Sequence, residues 1–260
     1  SKKQVSEIVD YCKNNNVPLF PLGKGSNLLV SDNGIEGVVM YFGSDFGKIG
    51  LLDEETIYCE AGTSLGALCN FALENGLTGL EFAYGIPGSV GGAVFMNAGA
   101  YGGEIKDVIV YADHVDKNGE TGRFAGEELQ MSYRHSAYSA KGYFITGAAF
   151  KLKKGDKAEI KAKMDDLLGR RFDKQPMDKP SAGSTFKRPE GAFASALIDQ
   201  CGLKGYRVGG AEVSTKHAGF VVNIGGATCA DVLALGDAVS KQVKERFGVE
   251  LECEIRFLNA

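Results

Sequence analysis

Ser181-Ala182-Gly183-Ser184-Thr185-Phe186-Lys187-Arg188-Pro189 gathers hydroxyls, a flexible glycine and two cations in one short run. Hydroxyls can hand over protons and cations can hold phosphates or carboxylates, so the run suits a polyanionic substrate; by composition alone it is a surface loop. Tyr133-Arg134-His135-Ser136 offers a second cation beside a hydroxyl and an imidazole, or a solvated turn. A third set of groups closes the chain, where Glu250, Glu252 and Glu254 alternate with Val249, Leu251, Cys253 and Ile255. Period-two patterning places the three carboxylates on one face of a strand and does not choose among them.

Two glycine motifs invite nucleotide or acyl chemistry. In Gly23-Lys24-Gly25-Ser26-Asn27-Leu28 the third glycine of a dinucleotide fingerprint is replaced by Leu28, no helical pattern follows, and the GK[ST] order of a P-loop is missing. A plain hairpin turn is the stronger reading of this segment, and an anion nest for a pyrophosphate is the alternative. Gly62-Thr63-Ser64-Leu65-Gly66 matches GxSxG between a strand and a helix, as a hydrolase nucleophile elbow would. The plainer reading is a helix start capped at Thr63, because a triad would have to draw on only three histidines, His114, His135 and His217.

The elements that must position these groups follow from patterning. Ser1 and Gln4 form a capping box for a helix carrying Val5, Ile8, Val9 and Cys12. Val17 to Pro21 reads as a strand feeding the turn at Gly23, with a second strand at Leu28-Leu29-Val30; Ile57 to Glu60 is a strand, and Leu65, Leu68, Cys69 and Ala72 make a helix ending at Asn75-Gly76. From Leu77 to Gly103 glycines interleave with Ile86, Val90, Ala93, Val94, Phe95 and Met96, which suits backbone lying against a ligand. Val108 to Tyr111 and Tyr143 to Phe150, with a turn at Asn118-Gly119, predict an antiparallel sheet. Charge rises at Lys153-Lys154-Gly155, the predicted domain boundary, and helices follow that are capped by Asp156 and Glu159, by Gly202, and by Thr228 and Asp231 with Gly248 past the end.

Bulk composition narrows the class. With 260 residues, 44% hydrophobic and 24% charged, the chain has material for more than one core, and 36 glycines are about double the average usage of roughly 7%. No apolar run approaches the ~18 residues of a membrane helix and no export signal opens the chain, which predicts a soluble, cytoplasmic protein. Cys12, Cys59, Cys69, Cys201, Cys229 and Cys253 lack metal spacing and read as reduced core residues, so no metal is expected. A net charge of −4 argues against a nucleic-acid partner.

Taken together, PLGKGSNLLV from Pro21, GLEFAYGIPGSVGGAVFMNAGAYGG from Gly79, YRHS from Tyr133, RFDKQPMDKPSAGSTFKRP from Arg171, GGAEVSTKHAGFVVN from Gly209 and ELECEIRF from Glu250 resemble the UDP-N-acetylenolpyruvoylglucosamine reductase family. The FKRP form and the short stretch between Tyr133 and Lys153 resemble its branch without an extra tyrosine-bearing loop. The resemblance implies an α+β fold: a PCMH-type FAD-binding domain over residues 1–153, its N-terminal part incomplete, then a smaller α+β substrate-binding domain over residues 154–260 whose last strand returns to the active site. It implies FAD held at Gly23, Lys24, Gly25, Ser26, Asn27 and Leu28, at Gly85, Ile86, Pro87, Gly88, Ser89, Gly91 and Gly92, and at Ile145. The implied reaction passes a hydride from NADPH through FAD to the enolpyruvyl ether of UDP-N-acetylglucosamine, giving UDP-N-acetylmuramate for peptidoglycan synthesis. Ser184 would be the acid, Arg134 the partner of the substrate carboxylate and Glu254 a group polarising or protonating it. Tyr101, Lys187, His217 and Asn223 would touch the substrate, Lys187 and His217 at its diphosphate or sugar, and the enzyme would act as a monomer. Cys253 stands where a proline is common in the family and is expected to be silent on a buried strand face.

Overall fold

The computed structural model describes residues 1–258. The chain forms two compact units, one of residues 1–24 and 37–169, the other of residues 25–36 and 170–260. The sequence boundary at Lys153 differs from this division in two ways. Ile160 and Met164 of the Lys157–Lys174 helix are buried in the first core, so that unit continues to Gly169, and residues 25–36 belong to the second unit.

In the first unit an antiparallel sheet runs in the order Thr121–Ala125, Ile109–Val115, Phe144–Lys151, Thr56–Glu60 and Ile49–Leu51. Its core includes Ile57, Leu65, Leu68, Leu77, Leu80, Ile105, Tyr138 and Phe150. The Lys2–Asn14 helix starts on the expected Ser1–Gln4 box and buries Val5, Val9 and Cys12. Lys2 ties it to the sheet by an ion pair of 2.7 Å with Asp113, which also accepts from Arg123 at 2.7 Å. The helix Val90–Met96, which the glycines hid from the sequence pattern, is capped by Ser89 and ends with Asn97 in the left-handed region.

The second unit carries an antiparallel sheet in the order Ser181–Ser184, Phe220–Asn223, Ala211–Val213, Arg207–Val208. It packs on Ile198, Leu235, Val239 and Val243 from the helices Ala194–Gln200 and Cys229–Phe247. The latter helix has the expected box of Thr228 and Asp231 and a left-handed Gly248 after its end.

Two local expectations fail. Leu19–Leu22 and Leu28–Val30 do not pair with each other: the first lies parallel to Val38–Tyr41 and the second parallel to Arg256–Leu258, so the Gly23 turn is not a hairpin. The closing segment is also not one alternating strand. Cys253 bridges to Phe186, and only Arg256–Leu258 joins Leu28–Val30. This change of partner leaves Cys253 exposed rather than on a buried face, with Leu251 and Ile255 buried.

Candidate functional site

In the first unit two turns zip together. Gly91 N–H donates to Ala61 O at 2.8 Å, Val90 N–H to Thr63 O at 2.8 Å and Leu65 N–H to Gly88 O at 3.0 Å, with Ser64 bridging Ser89. Each turn opens a helix: Ser64 Oγ accepts from Ala67 N–H at 3.1 Å and Ser89 Oγ from Gly92 N–H at 3.4 Å. The cap of the Leu65–Glu74 helix is therefore Ser64, not Thr63, and its hydroxyl is engaged in holding the backbone. This favours the helix-start reading over the nucleophile elbow. His114, His135 and His217 meanwhile put their Nδ1 atoms against Tyr138, Ser139 and the Gly219 N–H rather than against a carboxylate.

The seam is shaped for a ligand. A Cβ built on Gly23 would sit 2.4 Å from Ser89 Oγ, and one on Gly91 would sit 3.0 Å from Ala61 Cβ. The start of the Gly23 turn and the Gly85-to-Gly92 loop are thus adjacent, and bare backbone is what lets them close up. Thr63 and Thr146, both buried, have hydroxyls without protein partners along this seam, Ala61 N–H donating to Thr146 O at 3.1 Å. Thr146 lies in a bulge of the Phe144–Lys151 strand, next to the buried Ile145. A cradle of bare glycines with unspent hydroxyls fits a flat ring and an anionic tail, the two parts of a flavin dinucleotide. Of the remaining turn, Lys24 belongs to this unit and Gly25, Ser26, Asn27 and Leu28 to the other.

Arg134 is held in a strained tight turn of the first unit. Ser132 and His135 exchange two backbone hydrogen bonds of 3.1 Å, and Arg134 takes φ +55°, a region that a long side chain seldom occupies. Its Nη2 lies 3.4 Å from Gly99 O, on the hairpin Gly99–Ala100/Gly103–Glu104 whose tip is Tyr101 at φ +52°. Arg134 and Tyr101 thus meet on one small assembly, each in a conformation that the surroundings must impose.

The second unit gathers the other candidates. Thr185 N–H donates to Gly219 O at 2.8 Å, while Glu254 N–H donates to Thr185 O at 2.8 Å and Lys187 N–H to Glu252 O at 2.8 Å. Ser184 is half-buried at the end of its strand, opposite Phe220, and Glu254 stands half-buried one register step away. The three closing carboxylates therefore differ: Glu250 and Glu252 are exposed and pair with Lys244 and Lys187, whereas Glu254 is half-buried and joins the ladder at Thr185, next to Ser184. Within the same unit Asn27 bonds to the closing segment, its Nδ2 donating to Glu254 O at 3.1 Å and its carbonyl accepting from Arg256 N–H at 3.0 Å. His217 lies on the loop before Phe220, where Gly219 N–H donates to its Nδ1 at 3.1 Å. Burial lowers its pKa, so it is a neutral ring presenting Nε2–H as a donor rather than a cation. Asn223 Oδ1 accepts from Gly225 and Ala227 N–H groups, leaving its amide nitrogen as the end it can offer a ligand.

Sequence reasoning missed Asn97, wholly buried at the end of its helix and bonded to Glu104 and Lys106 in one segment and to Ser132 in another. Its partners lie 7, 35 and 9 residues away, and no local pattern encodes them.

The comparisons with known proteins bear on both units. A model of an FAD binding domain matches residues 1–125, and a model described as UDP-N-acetylenolpyruvoylglucosamine reductase, C-terminal domain, matches residues 175–258. The UDP-N-acetylenolpyruvoylglucosamine reductase of Clostridium novyi is 52% identical over 258 residues, 99% of this chain and 83% of the relative. That of Caldanaerobacter subterraneus is 47% identical over 258 residues, 99% of this chain and 85% of the relative. The crystal structure of UDP-N-acetylenolpyruvylglucosamine reductase (MurB) from Thermus caldophilus superposes with a TM-score of 0.83 at 36% identity, covering 100% of this chain and 90% of that one.

Proposed function

The chain belongs to the UDP-N-acetylenolpyruvoylglucosamine reductase family, and from that premise we propose which of its residues carry the reaction. It is an FAD-containing oxidoreductase of α+β fold that reduces the enolpyruvyl group of UDP-N-acetylglucosamine enolpyruvate in peptidoglycan synthesis. Bound FAD supplies the hydride that the enolpyruvyl methylene receives. In the proposed reading NADPH is the donor that reloads it, and the enzyme works as a cytoplasmic monomer of the branch without the tyrosine loop. Among the described residues no helix is long and apolar enough to cross a membrane.

Gly23 to Leu28 would cradle the pyrophosphate, with Gly85, Ile86, Pro87, Gly88, Ser89, Gly91, Gly92 and Ile145 against the rest of the cofactor. The closure of Gly23 on Ser89 supports this assignment. Ser184 donates its hydroxyl proton to the carbon next to the carboxylate. An alcohol is an adequate acid there because hydride addition makes that carbon strongly basic. Arg134 pairs with the substrate carboxylate, onto which the developing charge spreads, and Glu254 polarises or protonates the same group. Lys187 and the neutral donor His217 meet the diphosphate and sugar, with Tyr101 and Asn223 as further contacts. The observation that carries the reading is the backbone ladder on which Glu254 joins Thr185, next to Ser184, and is half-buried, whereas Glu252, two residues along the same ladder, is exposed.

An anaerobic absorbance trace tests it. NADPH should bleach the flavin band, and UDP-N-acetylglucosamine enolpyruvate should restore it with formation of UDP-N-acetylmuramate. Bleaching without restoration would mean that the chain binds flavin but does not carry out this reduction.

A further inference from the structure

Arg134 can pair with a carboxylate only if its turn is held still, and that turn is strained: a left-handed arginine relaxes to an ordinary conformation unless neighbouring structure prevents it. Within the first unit the restraint traces to Asn97, which is fully buried and itself left-handed at φ +45°. Asparagine is suited to the job because it tolerates that backbone and carries both a donor and an acceptor on a short stem. Its Nδ2 donates to Ser132 O at 2.9 Å, at the base of the Arg134 turn, and to Glu104 Oε2 at 3.2 Å, at the base of the Tyr101 hairpin. Its Oδ1 accepts from Lys106 N–H at 2.9 Å, so both ends of the amide are used. The backbone end is fixed too, since Ala98 N–H closes on Ala93 O at 2.8 Å and Ile105 N–H on Ala98 O at 3.0 Å. Arg134 then reaches Gly99 O, on the hairpin that the same amide holds.

We infer that Asn97 is a positioning residue for this reaction: by clamping the Ser132–His135 turn to the Gly99–Glu104 hairpin, it sets where the Arg134 guanidinium stands to receive the substrate carboxylate. The inference rests on the reading of Arg134 given above and adds a residue that touches neither substrate nor cofactor in that reading. Its chemistry is testable because loss of the clamp frees the turn without removing the arginine. A displacement of about 1 Å at such a group costs on the order of 10²-fold in rate.

Asn97→Gly keeps the left-handed backbone and deletes the amide. The variant should retain its flavin spectrum and its rate of reduction by NADPH, while reoxidation by the enolpyruvyl substrate slows by about 10²-fold. Calorimetric titration gives a readout that general loosening would not produce. Affinity for UDP-N-acetylmuramate, which carries the carboxylate, should fall, and affinity for UDP-N-acetylglucosamine, which lacks it, should not. In the Arg134→Ala background the same change should add little, because both act through one contact. If Arg134→Ala alone reoxidises at the wild-type rate, the reading of Arg134 fails. If Arg134→Ala is slow but Asn97→Gly is not, or if the two losses multiply in the double variant, the positioning role of Asn97 is overturned. Should Asn97→Gly not fold, Glu104→Ala removes another arm of the clamp, and equal loss of both nucleotide-sugar affinities there would overturn the role as well.

Discussion

At the scale of single residues, the closing carboxylates give the sharpest contrast. By alternation alone Glu250, Glu252 and Glu254 are equivalent, yet Glu250 and Glu252 are exposed while Glu254 is half-buried, its backbone on Thr185 next to Ser184. Glu254→Gln should slow flavin reoxidation by substrate and leave reduction by NADPH intact, whereas Glu250→Gln, losing only an exposed and solvent-screened ion pair, should be silent in both. Ser184→Ala should show the same split, with reoxidation slowed by about 10³-fold for loss of a general acid. Stopped-flow traces of the two half-reactions read all three variants. Equal rates for Glu254→Gln and Glu250→Gln would return Glu254 to the solvated face.

At the scale of elements, what the sequence made legible was what neighbours encode. The boxes at Ser1–Gln4 and Thr228–Asp231 and the stop at Gly248 were visible because a cap is written within four residues of its helix. The Ser184 segment and Glu254 were legible as motif blocks, but their adjacency was not, since a bridge such as Phe186 to Cys253 joins residues far apart in the chain. The same reason explains the mistaken hairpin at Gly23, whose two strands each choose a distant parallel partner. The hidden Val90–Met96 helix has another cause: glycine is a poor helix former, yet it occupies position 91 because a side chain there would press on Ala61. The cap at Ser64 was misplaced by one residue, and the correction changes an expectation. Ser64→Ala should now lower stability by about 1 kcal/mol, through the lost bond to Ala67 N–H, while both half-reactions of the folded protein keep their rates. A thermal melt and a turnover assay on one preparation separate these effects. Full stability with lost turnover would reopen the question of a chemical role for that serine.

At the scale of the whole molecule, the response to acid follows from groups buried in both cores. Burial alone would raise the pKa of Asp113, but hydrogen bonds from Arg123 and Lys2 outweigh it and hold the carboxyl below its usual range. For Glu81, buried beneath Lys163, burial is likewise outweighed, here by bonds from Thr78 and the backbone. His114 is shifted downward by burial among Phe124, Tyr138 and Tyr143, and His217 by burial in the second unit. The Tyr138 hydroxyl gives its proton to Ala112 O, so His114 must donate to it through Nδ1–H, which fixes a neutral tautomer. The signs then agree. A histidine with a lowered folded pKa binds its proton more readily unfolded, so stability starts to fall as pH drops through about 6.5. A carboxylate with a lowered folded pKa contributes stability that is present above about 4 and is lost as pH falls further, through its folded value. The melting temperature should therefore descend in two stages on acidification from neutral. His114→Phe, which keeps the aromatic packing, should flatten the stage between about pH 7 and 5, and Asp113→Asn should flatten the one below about pH 4. Calorimetric melts at half-unit intervals of pH would show this. If the wild-type curve were level from pH 7 to 5, or if His114→Phe left its slope unchanged, the buried histidine would not be the group that titrates there.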